Sequence, residues 1–210
     1  MSAEHSDLHG NVPDSSPVAL IVIDMINDLE FPGGEKILDA ALAVADRIAA
    51  LKARAREARI PVIYANDNFG RWRSDFNTVI ERCLNNPVRG RPLVQRLRPE
   101  KEDYFVLKPK HSAFFATTLE TLLEYLECER LILTGITGDI CVLFTASEAY
   151  LRDFELYVPG DCIASISDEE NEKAIAYMER VHHADVRAST DLDLELLQRE
   201  ASEDQESRES

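Results

Sequence analysis

Residues 131–149, LILTGITGDICVLFTASEA, restrict the fold more than any other part of the chain. Leu131, Ile132 and Leu133 form a short apolar run behind the charged Glu129 and Arg130, and the run breaks at Gly135-Ile136-Thr137-Gly138-Asp139. Apolar residues then return at helical spacing through Ile140, Val142, Leu143 and Ala146. The pattern predicts a strand, a tight glycine turn and a helix. Cys141 falls in the first turn of that helix. Unpaired N–H groups and the positive end of the helix dipole favour a thiolate there, and the same groups can receive an oxyanion. A buried, inert cysteine is the equal alternative, because free cysteine is among the most buried residue types.

The rest of the chain repeats the strand–helix alternation. Val18 to Ile23 is an uninterrupted apolar run ending in Asp24, the mark of a strand buried on both faces. A helix over 37–58 follows, with Ile37, Leu38, Ala41, Val44, Ala45, Ile48 and Leu51 on one face. A second strand over 60–65 leads into the polar loop 66–75, which holds the single Trp72. A helix over 76–83 comes next, and the Arg- and Pro-containing stretch 87–99 reads as a surface connection. A short strand over 104–107 ends at Lys108, and a helix over 119–126 has Thr118 as its cap. Past the central unit, a strand over 156–158 precedes a helix over 169–182 capped by Asp168, and 184–186 begins a last strand. His111, His182 and His183 are not at metal-ligand spacing and read as solvent or core residues. The expected fold is a single-domain α/β, doubly wound parallel sheet of about six strands with helices on both faces.

Asp24, Lys108 and Cys141 all fall at the C-terminal ends of strands. Open α/β sheets bind their ligands along that edge. Taken singly, Asp24 reads as a turn cap, whereas Lys108, at the end of an apolar strand, differs from a snorkelling surface lysine. On a shared edge, a lysine held near a carboxylate and a thiol would keep both charged.

The chain of 210 residues is long enough for one core, and its 45% hydrophobic content fits a globular protein. Its formal charge of −16 argues against nucleic acid or an anionic membrane surface as partner. Part of that charge sits in residues 191–210, read as an acidic C-terminal tail in which Leu192, Leu194, Leu196 and Leu197 could dock a last short helix. Residues 1–16 read as a flexible N-terminal tail, leaving 17–190 as the folded domain. Cys83, Cys128, Cys141 and Cys162 show neither zinc-site spacing nor a disulfide framework. No signal-peptide pattern or membrane-length apolar run occurs, so the expected location is cytoplasmic.

Three segments together resemble the isochorismatase-like cysteine hydrolase superfamily, which includes nicotinamidases and N-carbamoylsarcosine amidases. They are Val22-Ile23-Asp24-Met25-Ile26-Asn27-Asp28, Lys108-Pro-Lys-His-Ser-Ala-Phe114, and Gly135-Ile-Thr-Gly-Asp-Ile-Cys141-Val142 with Thr145-Ala146. The resemblance covers residues 17–190. It implies a catalytic triad of Asp24, Lys108 and Cys141. In that chemistry Asp24 takes the thiol proton, Cys141 attacks a carbonyl carbon, and Lys108 holds the charged pair. It also implies a cis peptide at Ile136–Thr137, with the N–H groups of Thr137 and Cys141 aimed at the oxyanion.

Two departures from the relatives stand out. The nicotinamidase metal site begins with Asp-x-His, whereas here the stretch is Asp67-Asn68-Phe69, so the expectation is a metal-free subgroup with no cofactor. Lys110-His111 stands where many relatives have Arg-Tyr. The expected activity is hydrolysis of a C–N bond in a small amide, ureide or carbamoyl compound through a thioester-type acyl-enzyme. Phe31, Trp72 and Phe115 are candidate pocket walls. The alternatives are isochorismatase-type vinyl ether hydrolysis, which needs no cysteine nucleophile, and a catalytically silent scaffold or binding module. The expected partners are a small-molecule substrate and other copies of the chain in a homodimer or homotetramer, with no nucleic acid and no membrane.

Overall fold

The computed structural model describes residues 15–68 and 75–209. Its centre is β1 (Val18–Ile23), in which all six residues are buried. Such a strand needs cover on both faces, which parallel neighbours joined by helical crossovers provide. β1 pairs in parallel with β2 (Val62–Asp67) on one side and with β4 (Arg130–Ile136) on the other. β3 (Tyr104–Lys108) extends the sheet beyond β2, and β5 (Glu155–Tyr157) extends it beyond β4. The two-residue β6 (Ile163–Ala164) adds to the end of β4. The strand order is thus β3-β2-β1-β4-β5, so the winding reverses between β1 and β4. The doubly wound parallel sheet is the fold expected from the sequence.

Helices cover both faces. α1 (Gly34–Glu57), α2 (Phe76–Asn85) and α3 (Arg91–Arg96) enclose one core with Leu20, Val22 and Tyr64 of the sheet. α4 (Leu119–Leu126), α5 (Leu143–Tyr150) and α6 (Asp168–His182) enclose the other with Ile21, Ile23 and Leu133. Alternate residues of β1 therefore serve opposite cores, as the period-two geometry of a strand requires.

Several local expectations need correction. Residues 87–99 are more than a surface connection: α3 lies within them and buries Leu93 and Val94. Pro92 is tolerated in its first turn, where no helical N–H is lost. Thr118 makes no side-chain cap on α4; Thr117 Oγ1 accepts the Leu119 N–H instead, at 3.1 Å. Ser167, rather than Asp168, caps α6 by accepting the Glu170 N–H, and Asp168 lies inside the first turn. Residues 184–186 contribute only a single parallel bridge, Asp185 to Tyr157.

The acid-rich end forms α7 (Leu194–Glu209), longer than the short docked helix envisaged, and it buries Leu194, Leu197 and Ala201. Arg130 of β4, 7% exposed, anchors it. This guanidinium donates to Leu197 O at 3.1 Å and pairs with Asp204 at 2.7 Å and Glu155 at 2.8 Å. Glu200 lies 3.8 Å from the same guanidinium, so three of the chain's many acids answer a buried cation. No described helix is long and apolar enough to cross a membrane.

Gly135 opens the central turn at φ +118°, opposite Ile23 in the β1–β4 register. A Cβ there would lie 2.0 Å from the Ile23 carbonyl oxygen, so the two strands can pair only because that atom is missing. Gly135→Ala should therefore destabilise the protein by ~3 kcal/mol or more, combining left-handed strain with a backbone collision. Urea unfolding followed by circular dichroism reads this. An unchanged midpoint would contradict the register.

Candidate active site

The reversal of winding leaves a crevice beyond the C-terminal ends of β1 and β4. Asp24 stands at its floor, one residue past β1, with a positive φ of 53° and 4% exposure. The chain around it is held from β2. The Asp24 N–H donates to Ala65 O at 2.9 Å, and the buried amide of Asn66 clasps Ile26, accepting from its N–H at 3.2 Å and donating to its carbonyl at 2.6 Å. The carboxylate itself accepts the Asp67 N–H on Oδ1 at 2.7 Å.

Lys108 is the last residue of β3, with β2 standing between it and β1. Two strand spacings amount to about 9–10 Å, so only a long side chain bridges them. Lys108 does so fully buried, and its Nζ lies 2.7 Å from Asp24 Oδ2. The same ammonium is 3.6 Å from Cys141 Sγ and donates to Lys110 O at 3.2 Å. The Asp24 charge also acts directly on the Cys141 thiol. Lys108 thus touches both Asp24 and Cys141 and brings the three side chains together.

Cys141 does not occupy the first turn of a regular α-helix. It lies in a π-helical turn, Gly138–Val142, that precedes α5. The Ile136–Thr137 peptide that ends β4 is cis. The turn rests on α6: the Asp139 N–H donates to Ser165 Oγ at 3.0 Å, and Ser165 Oγ donates to Asn171 Oδ1 at 2.8 Å. A Cβ on Gly138 would lie 2.3 Å from that same Asn171 oxygen, so the turn sits this close only with glycine there. Thr145, one helical turn on, donates to Cys141 O at 2.7 Å and accepts the Ala113 N–H at 3.0 Å. The turn that carries Cys141 is thus tied to the loop after β3.

The protonation state differs from the simple dipole expectation. Burial first, then the Asp24 charge, push the Cys141 thiol up to about 12, against the opposing pull of Lys108. Burial also raises Asp24, which Lys108 and its hydrogen bonds only partly offset. Burial alone would depress Lys108, but the Asp24 carboxylate and the neighbouring sulfur hold it above the usual lysine range. At neutral pH the sulfur therefore rests as a neutral thiol beside the Lys108 ammonium, which is paired with Asp24. One buried cation is already balanced by one anion, and a second anion on sulfur would lack a partner.

His111, read as a solvent or core residue, is solvent-exposed, but it also lies beside the sulfur. It stands at the mouth of the crevice, with Nδ1 3.9 Å from Cys141 Sγ and its ring 5.7 Å from that of Phe144. Among the candidate wall residues, Phe31 packs half-buried against the α1-side core and Phe115 is exposed. Trp72 lies outside the described residues. Sequence reasoning also missed Asn66 and Asn171, and it named Thr145 without assigning it a role. Asn66 left a trace as a polar residue closing an apolar strand, and Asn171 left none.

Cys83, Cys128 and Cys162 are buried free thiols, whereas Cys141 is half-buried. Among the described residues no group of three or more His, Cys, Asp or Glu is placed to hold a metal ion. The position that would begin a nicotinamidase-type metal site carries Phe69, so the residues present do not fit that group. An open depression of about 340 Å³, lined by Glu57, Arg59, Glu195 and Arg199 among others, lies at the opposite edge of the sheet. It belongs to the seam between α1 and α7 and takes no part in this cluster.

Comparison with known proteins gives a consistent result. The description "Isochorismatase domain" matches residues 18–191. The isochorismatase family protein YaaI of Bacillus subtilis is 44% identical over 168 residues, covering 80% of this chain and 92% of that protein. The isochorismatase of the same organism is 29% identical, and this chain spans only 54% of its length. Ureidoacrylate amidohydrolase of Pantoea ananatis is 31% identical, covering 76% of this chain and 74% of that protein. Among solved structures, N-carbamoylsarcosine amidase from Thermoplasma acidophilum superposes with a TM-score of 0.65 at 25% identity, covering 84% of this chain and 98% of that one. With this sheet order, this edge and this span of similarity, the chain belongs to the isochorismatase family, within the isochorismatase-like cysteine hydrolase superfamily.

Proposed function

We propose that the protein hydrolyses a C–N bond of a small amide, ureide or carbamoyl compound through a thioester on Cys141. The observation that carries this reading is the buried contact of Lys108 Nζ with Asp24 at 2.7 Å and with Cys141 Sγ at 3.6 Å. A thiol pushed up to about 12 holds almost no thiolate at neutral pH, so its proton must leave as the sulfur attacks. Asp24, held beside the sulfur by Lys108 and acting on the thiol through its charge, is the base.

The sulfur bonds to the carbonyl carbon, and the oxygen gains charge that the N–H groups of Thr137 and Cys141 receive. As the C–N bond breaks, Asp24 returns the proton to the departing nitrogen. Water then cleaves the thioester and restores the thiol. Lys108 keeps Asp24 ionised before the transfer and stabilises the site's negative charge throughout. Relatives named for N-carbamoylsarcosine and ureidoacrylate hydrolysis support the substrate class. Vinyl ether hydrolysis, suggested by the isochorismatase relative, would leave the thiol without work.

The test is ammonia release from a panel of primary amides, ureides and N-carbamoyl compounds. Release should fall in step with iodoacetamide labelling of Cys141, resolved from the three buried thiols by peptide mass spectrometry. Release that survives complete labelling of Cys141 overturns the proposal.

A further inference from the structure

The mechanism above assigns the first half of the reaction fully but leaves the second half with a buried base. Asp24 is 4% exposed, with Oδ1 taken by the Asp67 N–H and Oδ2 by Lys108. An acyl group on Cys141 would stand between it and solvent, since Lys108, paired with Asp24, contacts the sulfur from the protein interior. The water that cleaves the thioester has to arrive from the open side. On that side stands His111, exposed, its Nδ1 3.9 Å from Cys141 Sγ.

This placement is built into the fold on two sides. The carbonyl immediately before His111 accepts a hydrogen bond from Lys108 Nζ at 3.2 Å, so the lysine that pairs with Asp24 also fixes the histidine's backbone. Two residues later, the Ala113 N–H donates to Thr145 Oγ1, which itself donates to Cys141 O at 2.7 Å. Ser112 between them is buried, and its Oγ accepts the Phe114 N–H at 3.1 Å. The Phe144 ring, 5.7 Å away, flanks the imidazole. An exposed side chain is thus carried on a backbone pinned to both the lysine and the nucleophile helix.

We propose that His111 is the acid–base catalyst of thioester hydrolysis, working opposite Asp24, a proposal that rests on the cysteine-hydrolase reading. Imidazole suits the task because a ring nitrogen can take a proton from water and hand it on to sulfur. As the water oxygen bonds to the acyl carbon, the imidazole nitrogen takes a proton from that water. The C–S bond then breaks, the electron pair leaves on sulfur, and the imidazolium returns its proton to Sγ. The products are the carboxylic acid and the free thiol, with imidazole and cysteine both restored. Asp24 serves acylation from the buried side, and His111 serves deacylation from the open side.

The probe is p-nitrophenyl acetate, whose nitrophenol release reports acylation and whose acetyl group can be followed on Cys141 by mass spectrometry. Native protein should turn it over, and Cys141→Ala should not. In His111→Gln the first turnover should keep its native rate, acetyl-Cys141 should accumulate, and steady-state turnover should fall on the order of 100-fold, the low end of a positioned acid–base contribution. An unchanged thermal midpoint shows that the exposed substitution leaves the fold intact. Steady-state turnover equal to native overturns the proposal, as does a first turnover slowed as much as the steady state. If Cys141→Ala releases nitrophenol as fast as native protein, the cysteine-hydrolase reading itself fails, and the role of His111 falls with it.

Discussion

Asp24→Asn is expected to lower turnover by about 10³-fold, within the range a general base contributes, while making Cys141 easier to ionise. The two effects point in opposite directions, and their coexistence is diagnostic. After burial, the largest influence raising the Cys141 thiol is the charge of Asp24, and the largest lowering it is Lys108. Asparagine removes the first and keeps the second. It also strips Lys108 of the carboxylate that balances it at 2.7 Å, and the nearby atom able to take up negative charge is Cys141 Sγ at 3.6 Å. A buried cation without a partner is costly, so the thiol gives up its proton at lower pH than in the native protein. Iodoacetamide labelling of Cys141 across a pH series should therefore show a midpoint moved down from about 12. If the variant carries more thiolate and yet turns over far less, Asp24 acts by moving a proton, not by creating a resting thiolate. Native turnover in Asp24→Asn would end the base assignment.

Lys108→Met should remove activity and also destabilise the fold, by ~3–5 kcal/mol at neutral pH, because it leaves a buried carboxylate without its cation. Methionine matches much of the stem that crosses β2, so the loss is chiefly one of charge. Burial already raises Asp24, and without Lys108 nothing comparable opposes it. A carboxyl group whose folded pKa lies above its unfolded value favours the fold in acid and loses that contribution as pH rises through the folded value. The deficit of Lys108→Met relative to native protein should therefore be smallest in acid and grow toward neutrality. Urea midpoints at about pH 4.5 and about pH 7.5 read the difference. Adding Asp24→Asn to Lys108→Met should recover part of the stability, since both charges are then gone, and none of the activity. A deficit independent of pH would show that the lysine acts through packing alone.

Much of the architecture was legible beforehand. The apolar runs at 18–23 and 131–133, the helical spacing over 37–58 and the glycine break at 135–138 all correspond to observed elements. Errors cluster where local composition and burial disagree. The Arg and Pro content of 87–99 concealed α3, because Leu93 and Val94 find their core only across α1. The acidic composition of 191–210 concealed the length of α7, because its anchor, Arg130, lies far away in the sequence. Capping went to Thr117 and Ser167, each one residue before the expected position, a choice made by backbone angles that composition does not encode.

By itself, then, the sequence determined the parallel sheet, its two-sided burial, and the common edge on which Asp24, Lys108 and Cys141 stand. These follow from periodicity and from the rule that strands buried on both faces need helical crossovers. Only the tertiary structure decided how those residues meet. It set Lys108 across the width of β2, put Asn66 and Thr145 to work as clasps, and brought His111 to the sulfur. It also decided that Cys141 rests as a thiol, since burial and the Asp24 charge outweigh a helix dipole and a lysine. Such outcomes depend on distances between remote segments and on water excluded by their packing, and no local pattern carries either quantity.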